Sequence, residues 1–138
     1  MTEGISWPWR QRLNPPPVQL RLGAPDWMPL RRGGVWSSEV RELTRGEAGV
    51  YAVRETSNPG TVLYVGESHS PGPKAPLRMW KTIKRHFHGE SSFRKRDEWT
   101  YSGNHDLDIA LWVTPPSKAY EAEGKLVADL APLHTRPR

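Results

Sequence analysis

Five residues in this chain carry the side chains that hydrolysis of a phosphodiester needs. They are two tyrosines, an arginine, a histidine and a glutamate: Tyr51, Tyr64, Arg78, His86 and Glu123. During the reaction negative charge develops on the non-bridging oxygens, and a water molecule must lose a proton. Each tyrosine taken singly is more typical of a strand core than of a catalytic site. Together, on neighbouring elements, the five suit phosphodiester hydrolysis.

Glu123 and Arg78 are the two members of this set that secondary structure explains least. Glu123 borders the apolar stripe of a predicted helix, with Ala119, Leu126 and Val127 as its helical neighbours. A carboxylate there is costly unless it meets a cation, a metal or a donor, or extends to water at the margin of the stripe. Arg78 begins a predicted helix, where the dipole does not favour a cation but where an arginine suits a bound anion. The alternative for Arg78 is an exposed surface arginine.

The charge of the chain favours a polyanionic partner. Lys plus Arg number 20 against 15 acidic residues, for a net charge of +5. Residues 81–99, "KTIKRHFHGESSFRKRDEW", interleave basic side chains with phenylalanines, as surfaces that follow a phosphate backbone do. The candidate nucleic-acid contacts are Lys81, Arg85, Arg94, Lys95 and Arg96. The alternative is a solvated helix face followed by a loop.

The order of predicted elements indicates an α/β fold: a small three-stranded sheet flanked by helices. Residues 1–36 are rich in proline and tryptophan, with "NPPP" at 14–17, and are predicted to form an extended arm. Residues 37–138 read as helix, strand, strand, helix, strand and helix. The hairpin is "VYAVRE" and "VLYVGE" around "TSNPG", and "DLDIALWVT" (106–114) alternates as a strand does. A proline start and a proline stop bound the last helix at 115–132.

Several classes of protein and of site are disfavoured. The chain has no cysteine, which excludes disulfides and thiolate metal sites. No apolar run suits a membrane span and the N-terminus lacks a signal-peptide layout, so we expect a soluble, cytoplasmic protein. His86 and His88 would diverge on a helix, which disfavours a two-histidine zinc site. Asp106 and Asp108 share a strand face; they either bind a metal as a pair or form the solvated side of an edge strand.

The hairpin resembles the signature of the GIY-YIG nuclease superfamily. "GVY" (49–51) is similar to the first triplet and "YVG" (64–66) to the second, with twelve residues between the two tyrosines. An arginine-bearing helix, a strand and a further helix follow, as in the family. The end of the chain, "EGKLVADLAP" (123–132), resembles the closing family pattern of a glutamate, two apolar residues and a proline, and it selects Glu123 over Glu121. The resemblance covers about residues 48–135.

The resemblance implies a GIY-YIG-like catalytic domain over residues 37–138 and a DNA endonuclease that leaves 5′-phosphate and 3′-hydroxyl ends. Tyr51 and Tyr64 would line the site, one phenol orienting or deprotonating the attacking water. Arg78 would hold the scissile phosphate, with Arg85 as the alternative. Glu123 would ligate one Mg²⁺ (or Mn²⁺).

Two further expectations concern a departure from the family pattern and the partners. Thr82 stands where the family often has a tyrosine or histidine one helical turn after the arginine, and His86 would take that role. The partner would be DNA, with no membrane, and the N-terminal arm is a possible contact for a protein partner. The alternative function is a non-catalytic nucleic-acid-binding module with a decayed site.

Overall fold

A computed structural model describes residues 10–12, 22–70, 74–85, 87 and 105–134 of the 138-residue chain. These residues contain a mixed α/β fold in which the predicted order of elements from residue 37 onward is confirmed. A single 3₁₀ turn, Pro116–Lys118, precedes the last of the described helices. The elements are β1 (Arg10–Arg12), β2 (Met28–Arg32), β3 (Val35–Trp36), α1 (Ser38–Leu43), β4 (Gly49–Glu55), β5 (Val62–Ser68), α2 (Arg78–Arg85), β6 (Leu107–Val113) and α3 (Ala119–Leu130).

The sheet is larger than the three strands that the sequence predicts. Five strands form an antiparallel path in the order β3-β2-β6-β4-β5, and β1 pairs in parallel with β6. The predicted strands are β4, β5 and β6; β2 and β3 come from the segment assigned to the arm. Proline lacks a backbone donor, which argues against a strand at 28–32. The structure accommodates Pro29 because the register between β2 and β6 shifts between Pro29 and Arg31. The prediction of a three-stranded sheet is therefore wrong, whereas the domain division at residue 36 stays a prediction.

Helices cover both faces of the sheet. On one face Tyr51 and Tyr64 pack with Trp80 and Ile83 of α2. On the opposite face the residues that pack with α3 are those that alternate with the first set: Val50, Ala52, Val65, Ala110 and Trp112, against Ala122 and Leu126 of the helix. The alternation predicted for β6 is confirmed, but all seven of its residues are buried. β6 is thus a central strand, and the expectation of an edge strand with a solvated face is wrong.

The burial of Asp108 has a specific cause. Its carboxylate accepts hydrogen bonds from Arg32 Nη2 (2.8 Å), Arg54 Nε (3.0 Å) and Thr56 Oγ1 (2.9 Å). Burial acts to raise the pKa of Asp108, but the hydrogen bonds from Arg54, Thr56 and Arg32 outweigh it and hold that pKa below its usual value. The carboxylate joins β2, β4 and β6, which accounts for its position without a metal.

No helix in the described part of the chain is both long enough and apolar enough to cross a membrane.

Candidate active site

The two triplets lie side by side on adjacent strands. β4 begins at Gly49, and its register with β5 pairs Tyr51 with Gly66 and Val53 with Tyr64. The tyrosines are therefore diagonal neighbours on one face, the arrangement in which long side chains on neighbouring strands meet. Their ring centroids lie 6.3 Å apart at an interplanar angle of 47°.

Both glycines of the triplets are required by close packing. A Cβ atom at residue 66 would lie 2.5 Å from Tyr51 Oη, 2.6 Å from Tyr51 Cζ and 2.8 Å from Tyr64 Cε2. A Cβ atom at residue 49 would collide with the backbone carbonyl oxygen of Trp112 on β6. Gly66 thus leaves the space that the Tyr51 phenol occupies, and Gly49 lets β4 and β6 approach.

The tyrosines are enclosed in the fold. Tyr51 is 0 % exposed and Tyr64 is 2 % exposed. For either phenol to act on a water molecule beside a bound phosphate, the chain that covers it has to move. In this structure the two rings pack against each other inside the fold, and neither forms part of the protein surface.

The two helices that bear Arg78 and Glu123 begin at one end of the sheet. There Gly49 pairs with both Ser68 of β5 and Val113 of β6. We call this row the Gly49 end. The connection just before β4 is tied to the start of α2, because Gly46 N donates to Pro76 O at 2.7 Å. α3 follows β6 after a short turn, so its first residues also start from this end.

Arg78 is the first residue of α2 and is exposed. Lys81 and Arg85 are also exposed, and their i, i+3, i+7 spacing puts the three cations on one side of the helix. Arg85 is the last residue of α2, about 10 Å along the helix axis from Arg78. Arg78 is therefore the arginine at the Gly49 end. Thr82, in the place of the expected tyrosine or histidine, donates its hydroxyl to the Arg78 carbonyl at 2.9 Å.

Glu123 lies in the other helical layer. It is the fifth residue of α3, and it is 1 % exposed although its side chain is a carboxylic acid. It has at least one polar or electrostatic contact in the structure. The tyrosines face α2, whereas α3 covers the opposite face, and β5 contacts both helices. The structure thus packs the tyrosines together, whereas Arg78 and Glu123 lie on two helices that contact β5 from opposite faces of the sheet.

Within the described residues, the candidate metal ligand is the carboxylate of Glu123. Within the described ranges, no three His, Cys, Asp or Glu side chains are grouped so as to hold a metal ion. Mg²⁺ is commonly bound by one or two carboxylates together with waters and substrate phosphates. A single buried carboxylate such as Glu123 is compatible with that mode and not with a cage made of protein ligands alone.

A buried carboxylate on β5 was missed by the sequence reasoning. Glu67 follows the second triplet, and its side chain is 2 % exposed. The Nδ1 atom of His69 lies 2.9 Å from its Oε1 atom. Glu67 pairs with Val50, so it points to the face that α3 covers. The sequence does carry one signal for the burial of Glu67: strand alternation places it on the same face of β5 as Val65.

Four of the predicted residues lie outside the described part of the chain: His86, Arg94, Lys95 and Arg96.

Comparison with known proteins adds no relative: no family model, no curated protein and no solved structure matches this chain.

Proposed function

We propose that this protein is a metal-dependent DNA endonuclease of the GIY-YIG type, which hydrolyses a phosphodiester to a 5′-phosphate and a 3′-hydroxyl. The observation that carries the proposal is the packing of Tyr51 and Tyr64 around Gly66 on paired strands. The glycine and both tyrosines of the resemblance thereby have one joint structural role. In a hairpin that contained glycine and tyrosine by chance, nothing would require these three residues to meet.

The roles follow from position and charge. Arg78, exposed at the N-terminus of α2, would hold the scissile phosphate, because a guanidinium and a helix N-terminus both favour an anion. Lys81 and Arg85 would contact neighbouring phosphates on the same strand of DNA. Glu123 would hold one Mg²⁺ or Mn²⁺. When bound, that ion supplies Lewis-acid polarisation of the phosphate.

A second candidate function is a nucleic-acid-binding module without catalysis. The burial of both phenols favours it, because tyrosines at 0 % and 2 % exposure serve the core as they stand. The exposed cations of α2 would then bind phosphates with no reaction following. The two candidates differ in what the buried carboxylate does.

Glu123→Gln separates the candidates. In a nuclease the change abolishes cutting while DNA affinity is kept or rises, since a negative charge near phosphate is lost. In a binding module neither the unchanged protein nor Glu123→Gln cuts DNA, and the DNA affinity of the variant is again kept or raised. Cleavage of labelled duplex and branched DNA and fluorescence anisotropy on the same substrates measure the two properties.

Glu121→Gln is the matched control for that experiment. Glu121 is two residues away on α3 but is exposed, and it forms an ion pair with Lys118 at 3.5 Å. The control should cut and bind as the unchanged protein does. Circular dichroism melting of both variants checks that the loss of cutting is not a loss of fold. A Glu123→Gln protein that folds and cuts at the normal rate would overturn the proposed role of Glu123.

A further inference from the structure

The pair formed by Glu67 and His69 combines a buried carboxylate with an exposed imidazole. The Glu67 side chain is 2 % exposed, and that of His69 is 61 % exposed. The distance between His69 Nδ1 and Glu67 Oε1 is 2.9 Å, within the range of a charge-assisted hydrogen bond. The contact is a hydrogen bond when Nδ1 carries the hydrogen and the carboxylate oxygen accepts it. The lone pair of the neutral ring is then on Nε2, the other ring nitrogen of an exposed side chain.

The pair lies at the Gly49 end of the sheet. Ser68, between the two residues, pairs with Gly49. The start of α2, with Arg78, is linked to the same end through the contact of Gly46 with Pro76. The strand register directs Glu67 to the face covered by α3, the helix that bears Glu123. The imidazole thus follows the end of β5 that lies in the Gly49 row, the end of the sheet from which α2 and α3 begin.

Accessibility separates this imidazole from the phenols. Tyr51 and Tyr64 are enclosed, whereas His69 is open to solvent. Imidazole is the commonest general base in proteins, and an exposed imidazole can reach a water molecule without a movement of the fold.

We propose that His69 is the catalytic general base of the proposed nuclease and that Glu67 is its positioning residue. The inference rests on the proposed function. Nε2 of His69 takes a proton from a water molecule as the water oxygen forms a bond to phosphorus. The bond from phosphorus to the 3′ oxygen breaks, and that oxygen takes up a proton from solvent water. The imidazolium then releases its proton to solvent, which restores the base.

The chain supplies a matched control for the pair. His105 Nδ1 lies 3.0 Å from Glu55 Oε2, and the His105 side chain is 48 % exposed. Glu55 is the last residue of β4, so this second pair is at the other end of the strand from Gly49. The hydrogen-bond distance and the exposure of the imidazole are similar in the two pairs, whereas the Glu55 side chain is less buried than that of Glu67, at 24 % exposure.

The experiment compares His69→Ala and His105→Ala with the unchanged protein in single-turnover cleavage of labelled DNA, with Kd measured by anisotropy. We expect His69→Ala to lower the cleavage rate by about 10²–10⁴-fold, the usual contribution of a general base, with Kd within about twofold. Added imidazole should restore part of the rate to His69→Ala and none to Glu123→Gln. His105→Ala should cut at the normal rate.

Glu67→Ala tests the positioning role with a readout that a merely structural residue would not change. The ring nitrogen shifts of His69 in NMR should report the Nδ1–H tautomer in the unchanged protein and lose that preference in the variant. A slower cleavage rate with unchanged Kd should accompany the loss. An unchanged tautomer with an unchanged rate overturns the role of Glu67.

The failures of the two proposals are distinguishable. If the unchanged protein cuts and His69→Ala cuts within twofold of it, the assignment of His69 is wrong and the nuclease stands. If the unchanged protein cuts no DNA under any condition, the proposed function fails and the assignment of His69 fails with it.

Discussion

Replacing Gly66 by alanine tests the packing on which the account of the signature depends. The added Cβ atom would lie 2.5 Å from Tyr51 Oη, where ordinary van der Waals contact begins at 3.4 Å. It would also lie 2.8 Å from Tyr64 Cε2. Both rings are enclosed, so neither can swing into solvent to make room. The substitution therefore forces two buried rings out of position.

The magnitude follows from these contacts. Moving each ring away from its preferred rotamer costs about 0.5–1.5 kcal/mol, and together this matches the usual cost of overpacking, about 1–3 kcal/mol. Removing a glycine from a strand returns about 0.5–1 kcal/mol. The difference spans about 0–2.5 kcal/mol, and we expect Gly66→Ala to lower the free energy of unfolding by the middle of that range, about 1–2 kcal/mol. For a chain of this length that lowers Tm by about 3–8 °C.

Urea unfolding and thermal melting measure this change, with Gly60→Ala as the control. Gly60 lies in the hairpin turn, and a Cβ atom there would meet nothing within 4 Å. Gly60→Ala should leave stability unchanged or raise it by up to about 1 kcal/mol. Tyr51→Phe removes the atom closest to the new Cβ, so the double variant with Gly66→Ala should recover part of the loss. Equal stability of Gly66→Ala and Gly60→Ala would refute the packing argument.

Two further predictions concern the charged groups. Asp108→Asn should lower the free energy of unfolding by about 2–4 kcal/mol at pH 7, because it leaves the guanidiniums of Arg32 and Arg54 without their carboxylate. The pKa of Asp108 is held below its ordinary 3.8, so the stability that its charge contributes is complete above pH 3.8 and is lost as the pH falls through the lowered value. Urea midpoints should therefore show a gap between the two proteins that narrows below pH 3.8; a gap that stays constant down to pH 2 would contradict the ion-pair account. Lys81→Ala and Arg85→Ala should each weaken DNA binding on every sequence and reduce the slope of log K against log salt by about 1, measured by anisotropy; an unchanged slope would remove that residue from the interface.

The elements from residue 37 onward could be predicted because their signals are local. The alternation in β6 and the turn residues of the hairpin lie within a few residues of each other, and tertiary packing agreed with them. The sequence predicted the hairpin but not its register, which pairs Tyr51 with Gly66 and shifts between Val53 and Arg54.

The strand β2 was not predicted because its partner β6 is distant in the chain, whereas β3 pairs with β2 across the Gly33 and Gly34 turn, a local signal that the sequence reasoning missed. Pro29 and the adjacent arginines make the segment look unlike a strand, and only β6, about eighty residues later, completes it. Arg31 is buried because its guanidinium donates to the carbonyls of Phe87 and His105, which sequence does not reveal.

The burial of polar side chains could not be predicted either, because it depends on residues that are distant in the sequence. Asp108 is satisfied by Arg32 and Arg54, far from it in sequence, so its charge alone suggested a solvated face. Beyond strand alternation, nothing near Glu67 in the sequence indicates its burial. Its burial depends on α3 covering β5, which comes from tertiary packing.

The cleavage of supercoiled plasmid tests the central proposal most directly. The unchanged protein and Arg78→Ala are incubated with plasmid in Mg²⁺, in Mn²⁺ and in EDTA. The account predicts nicking by the unchanged protein that requires metal, products that a ligase can reseal because they carry 5′-phosphate and 3′-hydroxyl ends, and a loss of cutting of at least about 10²-fold in Arg78→Ala. Plasmid that is bound but stays intact in every metal would contradict the nuclease and leave the binding module as the function.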